Sequence, residues 1–386
     1  MTIFSMLREL HRSKKSGLFL KLDIAKAFDS VRWDFLMEVL EQFGFRARWR
    51  AWISTLLGSS STSVLLNGVK GKWCRHFRGL RQGDPLSPLL FIIAMEPLQR
   101  LFEMAAREGV MTDLGGRSVK LRASLYADDA AIFLNPVRDE VQAVSTLLHM
   151  FGQASGLNIN LSKCAAYPIH CHDVNLEDVL QGFPCPVKNF PCTYLGLPLH
   201  TRQLRRVDIQ PIINKVANKL PAWKGSFLNK SARLKLVNTV LSSIPVYFLT
   251  IFEPKKWAIK KLDKIRRAFL WKGTAEANGA QCLVAWDKIK RPKLAGGLGV
   301  LDLEKFSRAL RLRWLWFKWT NPDRPWVGYD IPCNETDKQL FRCSTVVTLG
   351  DGRTALFWDS TWSDGVAPRD LAPHLYKLAW RKSLTV

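Results

Sequence analysis

The stretch Val119-Lys-Leu-Arg-Ala-Ser-Leu-Tyr126-Ala-Asp128-Asp129-Ala130-Ala-Ile-Phe-Leu134 decides the fold. Its flanks predict two strands, Val119–Tyr126 and Ala130–Leu134, joined tightly through Ala127, Asp128 and Asp129. Far upstream, Leu18–Leu22 is a short apolar run that predicts a buried strand ending at Asp23. If the two strand ends are neighbours in one sheet, Asp23, Asp128 and Asp129 converge. Carboxylates that close resist joint ionisation. Divalent cations relieve the repulsion, and magnesium takes a few carboxylates together with substrate phosphates and water. Two such ions can hold both ends of an in-line phosphoryl displacement. Taken singly, each feature is also what a solvated turn or a strand-to-helix junction contains.

Working outward, Ser30 is placed to cap a helix in which Val31, Phe35, Val39, Leu40 and Phe43 recur at helical spacing, with Gly44 ending it. A second helix is expected over Arg48–Leu57. Val64–Leu66 and Val69–His76 flank Asn67-Gly68, a strong hairpin signal. The turn-rich loop Gly79-Leu-Arg-Gln-Gly-Asp-Pro-Leu-Ser-Pro88 opens a long helix running to Arg107, and another helix is predicted from Arg138 to Ser155. Gly156-Leu-Asn-Ile-Asn160 then turns into a further strand. Strands and helices alternating in this manner predict an α+β domain over residues 1–168. Pro184, Pro186, Pro191 and Pro198 mark a connector containing the short strand Tyr194-Leu-Gly-Leu197. Basic helices follow to about Trp271, making a second region of residues 169–275, and residues 276–386 form a Trp-rich third.

The chain carries 57 Lys and Arg against 33 Asp and Glu over 386 residues, a formal net charge of +24. Such a field concentrates polyanions, nucleic acid first among them. There is no apolar run that spans a bilayer, no lipidation motif and no secretory pattern at Met1–Lys15, so a membrane partner and secretion are not expected. The 8 cysteines are scattered, which suits a reducing compartment, nucleus or cytoplasm. Cys164, His170, Cys171 and His172 are metal-ligand types without a paired spacing.

The ordered motifs resemble those of reverse transcriptases, especially the non-LTR, LINE-type retrotransposon enzymes of plants. Lys21-Leu-Asp-Ile-Ala-Lys-Ala-Phe-Asp29 is similar to the first catalytic motif of the palm, Gly79–Pro88 to the second and Tyr126-Ala-Asp-Asp129 to the metal-binding turn. Gly156-Leu-Asn-Ile-Asn-Leu-Ser-Lys163 resembles the fourth motif and Tyr194-Leu-Gly-Leu197 the primer grip. The resemblance implies a polymerase palm with partial fingers, a helical thumb and a Trp-rich C-terminal region. It implies Asp23, Asp128 and Asp129 as ligands of two Mg2+ ions, with Mn2+ as a substitute. Lys163 would be a general acid for the leaving pyrophosphate. Phe28 would be a steric gate against a ribose 2′-hydroxyl, and Arg81, Gln82, Gly83 and Tyr126 would meet the nucleotide. Tyr194, Leu195 and Gly196 would hold the primer. Asp29 and Asp84 would serve turns and caps. The implied partners are an RNA template, a DNA primer and dNTPs.

Family members carry finger strands and, further upstream, an endonuclease domain before the first motif, so this chain is expected to be a fragment. An inactive retroelement remnant that only binds nucleic acid is the alternative. A group II intron maturase shares the Tyr-Ala-Asp-Asp turn, but the form Arg81-Gln-Gly-Asp-Pro-Leu-Ser-Pro88 is nearer to LINE enzymes. Viral RNA polymerases usually begin that turn with Gly or Ser.

Overall fold

The computed structural model describes residues 2–114, 122–127, 129–219, 225, 227–276, 282–324 and 326–386. Two compact units, Thr2–Gln203 and Leu204–Val386, divide the chain. Asp128, the first three residues of the expected strand from Val119, and Lys224 among the expected basic positions lie outside the described residues.

In the first unit, β1 (Gly17–Asp23) is central to a sheet ordered β4 (Ala123–Tyr126), β5 (Asp129–Leu134), β1, β6 (Ala165–Ile169). Each neighbouring pair is antiparallel. The apolar run Leu18–Leu20 of β1 reflects burial on both sides, and the period of two separates the two faces. Leu18, Leu20 and Leu22 pair with Leu134, Ile132 and Ala130 and enter the main core. That core is completed by α3 (Trp33–Gln42), α4 (Ala47–Gly58), α5 (Ser87–Arg107) and α6 (Arg138–Ser155), through residues such as Leu36, Ile53, Phe91, Leu98, Val144 and Phe151. On the other face Phe19 pairs with Phe133 and Tyr167. An aromatic cluster forms there, with ring centroids 5.0 Å apart for Phe19–Phe133 and 6.3 Å for the edge-on Phe19–Tyr194 pair. Helix α1 (Thr2–Arg12) adds Phe4, 6.5 Å from Tyr194.

Ser30 does not cap a long helix. Its hydroxyl donates to the Ala25 carbonyl at 3.2 Å, and the chain forms a short α2 (Ala27–Ser30), then an extended break, then α3. The break buries Val31 completely and frees its carbonyl for the Gly79 N–H, 2.7 Å away. Tyr194–Leu197 is also not one strand. It closes a hairpin between β7 (Cys192–Tyr194) and β8 (Leu197–Leu199), with Leu195 at φ 48 and Gly196 at φ 74. Positive φ at both central residues matches the twist of a two-residue hairpin. The hairpin of β2 (Ser61–Leu66) and β3 (Val69–Arg75) forms as the Asn67-Gly68 signal predicts, with φ 49 and 81. Pro168 lies inside β6, and Val179, Leu180 and Phe183 beyond it enter the main core. The connector to Gln203 is therefore part of the first unit.

The second unit is helical: α7 (Arg206–Ala217), α8 (Lys230–Leu236) running on into a π turn at Val237–Leu241, α9 (Val246–Ile251), α10 (Lys256–Lys272) and α11 (Leu303–Thr320). The Arg266 side chain is fully buried, held by Asp263 and the Leu301 carbonyl, each at 2.7 Å. Trp314 donates to the Thr250 carbonyl at 2.7 Å and meets Trp326 edge-on at 5.3 Å, so these indoles pack rather than project. No described helix is long and apolar enough to cross a membrane.

Candidate active site

The sheet register brings two acidic residues together. Asp23, the last residue of β1, is the cross-strand partner of Asp129, the first residue of β5. Asp129 is in turn the partner of Tyr126 at the end of β4. The three stand in one row across β4, β5 and β1, and by parity they share the face of Phe19 and Phe133. Cross-strand Cβ atoms lie about 5 Å apart, a distance at which like charges destabilise a sheet. The fold nevertheless puts two carboxylates there, at an open end where the Asp23 side chain is 40% exposed and Tyr126 is 65% exposed. The Lys163 ammonium comes within 3.9 Å of Asp23 Oδ2, an exposed pairing worth little by itself. Ala127 takes φ 51, so the hairpin tip needs a left-handed residue.

The row is held from behind by backbone. The Asp23 carbonyl accepts from Asn160 N–H at 2.8 Å, and Ala25 N–H donates to the Asn158 carbonyl at 2.8 Å. Asp23 N–H points at Cys164 Sγ, 3.4 Å away. Cys164 is buried, and desolvation raises its thiol pKa, so it stays neutral beneath the carboxylates. Gly156 caps α6 at φ 81, and a Cβ there would overlap the Ser30 carbonyl. Gly79, at φ 86, comes so close to Asp29 that a Cβ would lie 2.8 Å from its carbonyl oxygen. Leu80 N–H donates to the Phe28 carbonyl at 2.6 Å and Trp33 Nε1 to the Gly79 carbonyl at 2.7 Å. These two glycines belong to quoted motifs, but their long-range contacts leave no signal in the local sequence.

The other anticipated residues divide by environment. Gln82 donates to Asp29 Oδ1 at 3.2 Å, tying the second motif to the first. Gly83 takes φ 91 with open space around it. Arg81 folds back on the end of α4, donating to Ser60 Oγ at 3.0 Å and Ser59 Oγ at 3.2 Å. The half-buried Phe28 ring stacks on Phe91 of α5 at 4.6 Å. Asp84 accepts from Leu86 N–H at 2.9 Å, the turn role expected of it. Tyr194 is buried and donates to Ser124 Oγ at 3.1 Å, while Gly196 is exposed at the β7–β8 tip. Lys21, on the same face as Asp23, donates to the Thr193 carbonyl at 3.0 Å and so ties this hairpin to β1.

Hard oxygen donors on adjacent strands, open to solvent, suit a magnesium-type cation. Among the described residues no group of three His, Cys, Asp or Glu gathers in ligand geometry. The third carboxylate of the expected set, Asp128, lies outside them. Cys164, His170, Cys171 and His172 form no zinc-type cluster among the described residues either. His170 instead stacks on His11 at 4.7 Å, and Cys171 Sγ faces the Gly17 carbonyl at 3.2 Å.

Comparison with known proteins places the chain among relatives. The chain is 34% identical over 270 residues to a retrovirus-related Pol polyprotein from a type-1 retrotransposable element R2 of Nasonia vitripennis, covering 68% of this chain and 26% of that protein. It is 25% identical over 334 residues to the transposon TX1 149 kDa protein of Xenopus laevis, covering 82% of this chain and 24% of that one. It thus spans about a quarter of these relatives' length. Among solved structures it is similar to a telomerase of Candida albicans in complex with a telomeric RNA fragment, with TM-score 0.36 and 12% identity, covering 90% of this chain and 52% of that one. A family model described as reverse transcriptase (RNA-dependent DNA polymerase) matches residues 1–199. That is more than half of the 386 residues, and it takes in every motif from Asp23 to Gly196. The chain belongs to the reverse transcriptase family, in the company of non-LTR retrotransposon Pol proteins.

Proposed function

We propose that this chain is the polymerising part of a LINE-type retrotransposon enzyme, adding dNTPs to the 3′-hydroxyl of a DNA primer along an RNA template. The observation that carries the reading is the Asp23–Asp129 cross-strand pair at the open end of the sheet. A fold that needed only stability gains nothing from like charges in that register. Asp128 is next to Asp129 in the chain and would complete the ligand set. Two Mg2+ ions, or Mn2+, held by Asp23, Asp128 and Asp129 would lower the pKa of the primer hydroxyl and offset charge on the leaving pyrophosphate.

The chain's own residues position the reactants. Lys163, beside Asp23, would give its proton to the pyrophosphate oxygen as the bond to the α-phosphorus breaks. Gly83 lets a nucleotide approach the backbone, and Gln82 is aimed by Asp29. Phe28 is braced by Phe91, which makes its ring a stiff wall against a 2′-hydroxyl. Tyr126 lies in the carboxylate row and offers an exposed ring. The Leu195–Gly196 tip would meet the primer, with Tyr194 as its buried anchor. Arg81 has the α4 terminus as its main partner, so its phosphate contact would require it to leave Ser59 and Ser60. In this reading the sheet unit is the palm with part of the fingers. The basic helices of the second unit, up to Trp271, would be the thumb, where exposed Lys256, Lys260 and Lys264 repeat along one stripe of α10 and suit a phosphate backbone, and residues 276–386 would be a separate Trp-rich region.

The test is primer extension on an RNA template with magnesium. Magnesium-dependent extension that Asp128→Asn removes is the expected result. Retained template–primer binding without extension would leave the reading of an inactive remnant that only binds nucleic acid.

A further inference from the structure

The β2–β3 hairpin stands apart from every core of the first unit. Its residues are exposed on both faces, Ser63 alone being half-covered. Along a regular strand, Lys70 and Trp73 would point to opposite sides. A register shift after Ser63 changes this: Ser63 pairs with Trp73, but Leu65 pairs with Lys70. Gly71 and Lys72 are thus both set against Val64, a bulge that reverses the alternation. Lys70, Trp73 and Arg75 therefore share one face with Ser61, Ser63 and Leu65. The Lys70 ammonium lies 3.9 Å from the centroid of the Trp73 ring, as that arrangement requires. Thr62, Val64, Leu66, Val69, Lys72 and Cys74 fall on the other face.

The first face is chemically one-sided. Lys70 and Arg75 stand on it, and from Gln42 to Gly83 the chain has no Asp or Glu. Trp73 is 62% exposed and Phe77, just beyond β3, is 80% exposed. An exposed indole flanked by cations has two uses for a polynucleotide: the ring stacks a base and the cations take its phosphates. A duplex hides its base faces, so the indole is useful only against an unpaired strand. A protein partner would be expected to prefer the aliphatic face.

We propose that the Lys70–Trp73–Arg75 face binds unpaired RNA, stacking a base on Trp73. This rests on the polymerase reading only for the origin of the strand, the template beyond the primer terminus. The test measures binding without synthesis. Affinity for unstructured oligo(U) RNA and for a blunt RNA–DNA duplex is titrated over a range of salt, for the unmodified chain and for Lys70→Ala/Trp73→Ala/Arg75→Ala. The variant is expected to lose about tenfold or more on oligo(U), with a salt dependence shallower by about 0.7 for each phosphate contact removed. Its duplex binding is expected to be unchanged, which also reports that it is folded. The companion Val64→Ser/Leu66→Ser/Val69→Ser, on the other face, is expected to keep oligo(U) binding. Equal oligo(U) affinity in the triple variant and the unmodified chain overturns the proposal, as does a loss confined to the companion. Absent primer extension with intact oligo(U) binding counts against the polymerase reading alone.

Discussion

Two regions of the first unit, both built around turn motifs, obey opposite rules. Around Asp23 the chain segments 23–33, 79–84 and 156–164 are locked backbone to backbone, and two glycines are required because no Cβ fits. In the β2–β3 hairpin nothing is buried, and a Cβ on Gly68 would meet nothing within 4 Å. The first arrangement fixes where a few oxygens stand, which chemistry demands to a fraction of an ångström. The second leaves side chains free to meet a mobile polymer, for which exposure and charge matter more than position.

The contrast can be broken most severely at the carboxylates. Asp23→Asn or Asp128→Asn should lower primer extension by about 10³-fold or more, since a ligated cation supplies several kcal/mol to the transition state. For Asp23→Asn the thermal unfolding midpoint should stay in place, because the ion pair it loses is an exposed one with Lys163. Next in size, Gly156→Ala should destabilise the first unit by at least about 2 kcal/mol, from left-handed strain plus overlap with the Ser30 carbonyl. Chemical denaturation measures it, and a change below the strain cost alone would show that the lock is loose. Tyr194→Phe removes the bond to Ser124 and should cost about 1 kcal/mol by the same measurement. At the hairpin, Val64→Thr should stay within about 0.5 kcal/mol, as exposed substitutions do.

The smallest effect is one of pH. Burial first, and then the positive field of His170, Arg202 and His200, holds the His11 pKa below its ordinary 6.5. As pH falls below 6.5 the unfolded chain takes up a proton that folded His11 resists, so stability declines there and is unaffected above. His11→Gln should flatten that part of a stability-versus-pH curve.

Much of this was legible before any fold was known. Asn67-Gly68 announced its hairpin because few residue pairs accept two positive φ values. Arg138–Ser155 announced its helix by apolar periodicity and the glycine that ends it. Leu195-Gly196 escaped notice, since a leucine at φ 48 is uncommon and the surrounding Tyr-Leu-Gly-Leu looks apolar and extended. The helix start placed at Ser30 failed because a local capping signal lost to long-range bonds at Val31 and Arg32.

The sequence by itself determined the chemistry of this protein: acidic residues at strand ends, a surplus of positive charge, hairpins and helices with their approximate limits. Those are properties of single residues and short windows, where torsional preference and periodicity operate. Only the tertiary structure decided that Asp23 faces Asp129, that Gly79 and Gly156 admit no side chain, and that a bulge turns Lys70 onto Trp73. Register and close approach depend on packing between segments far apart in the chain, and no local window contains that sum.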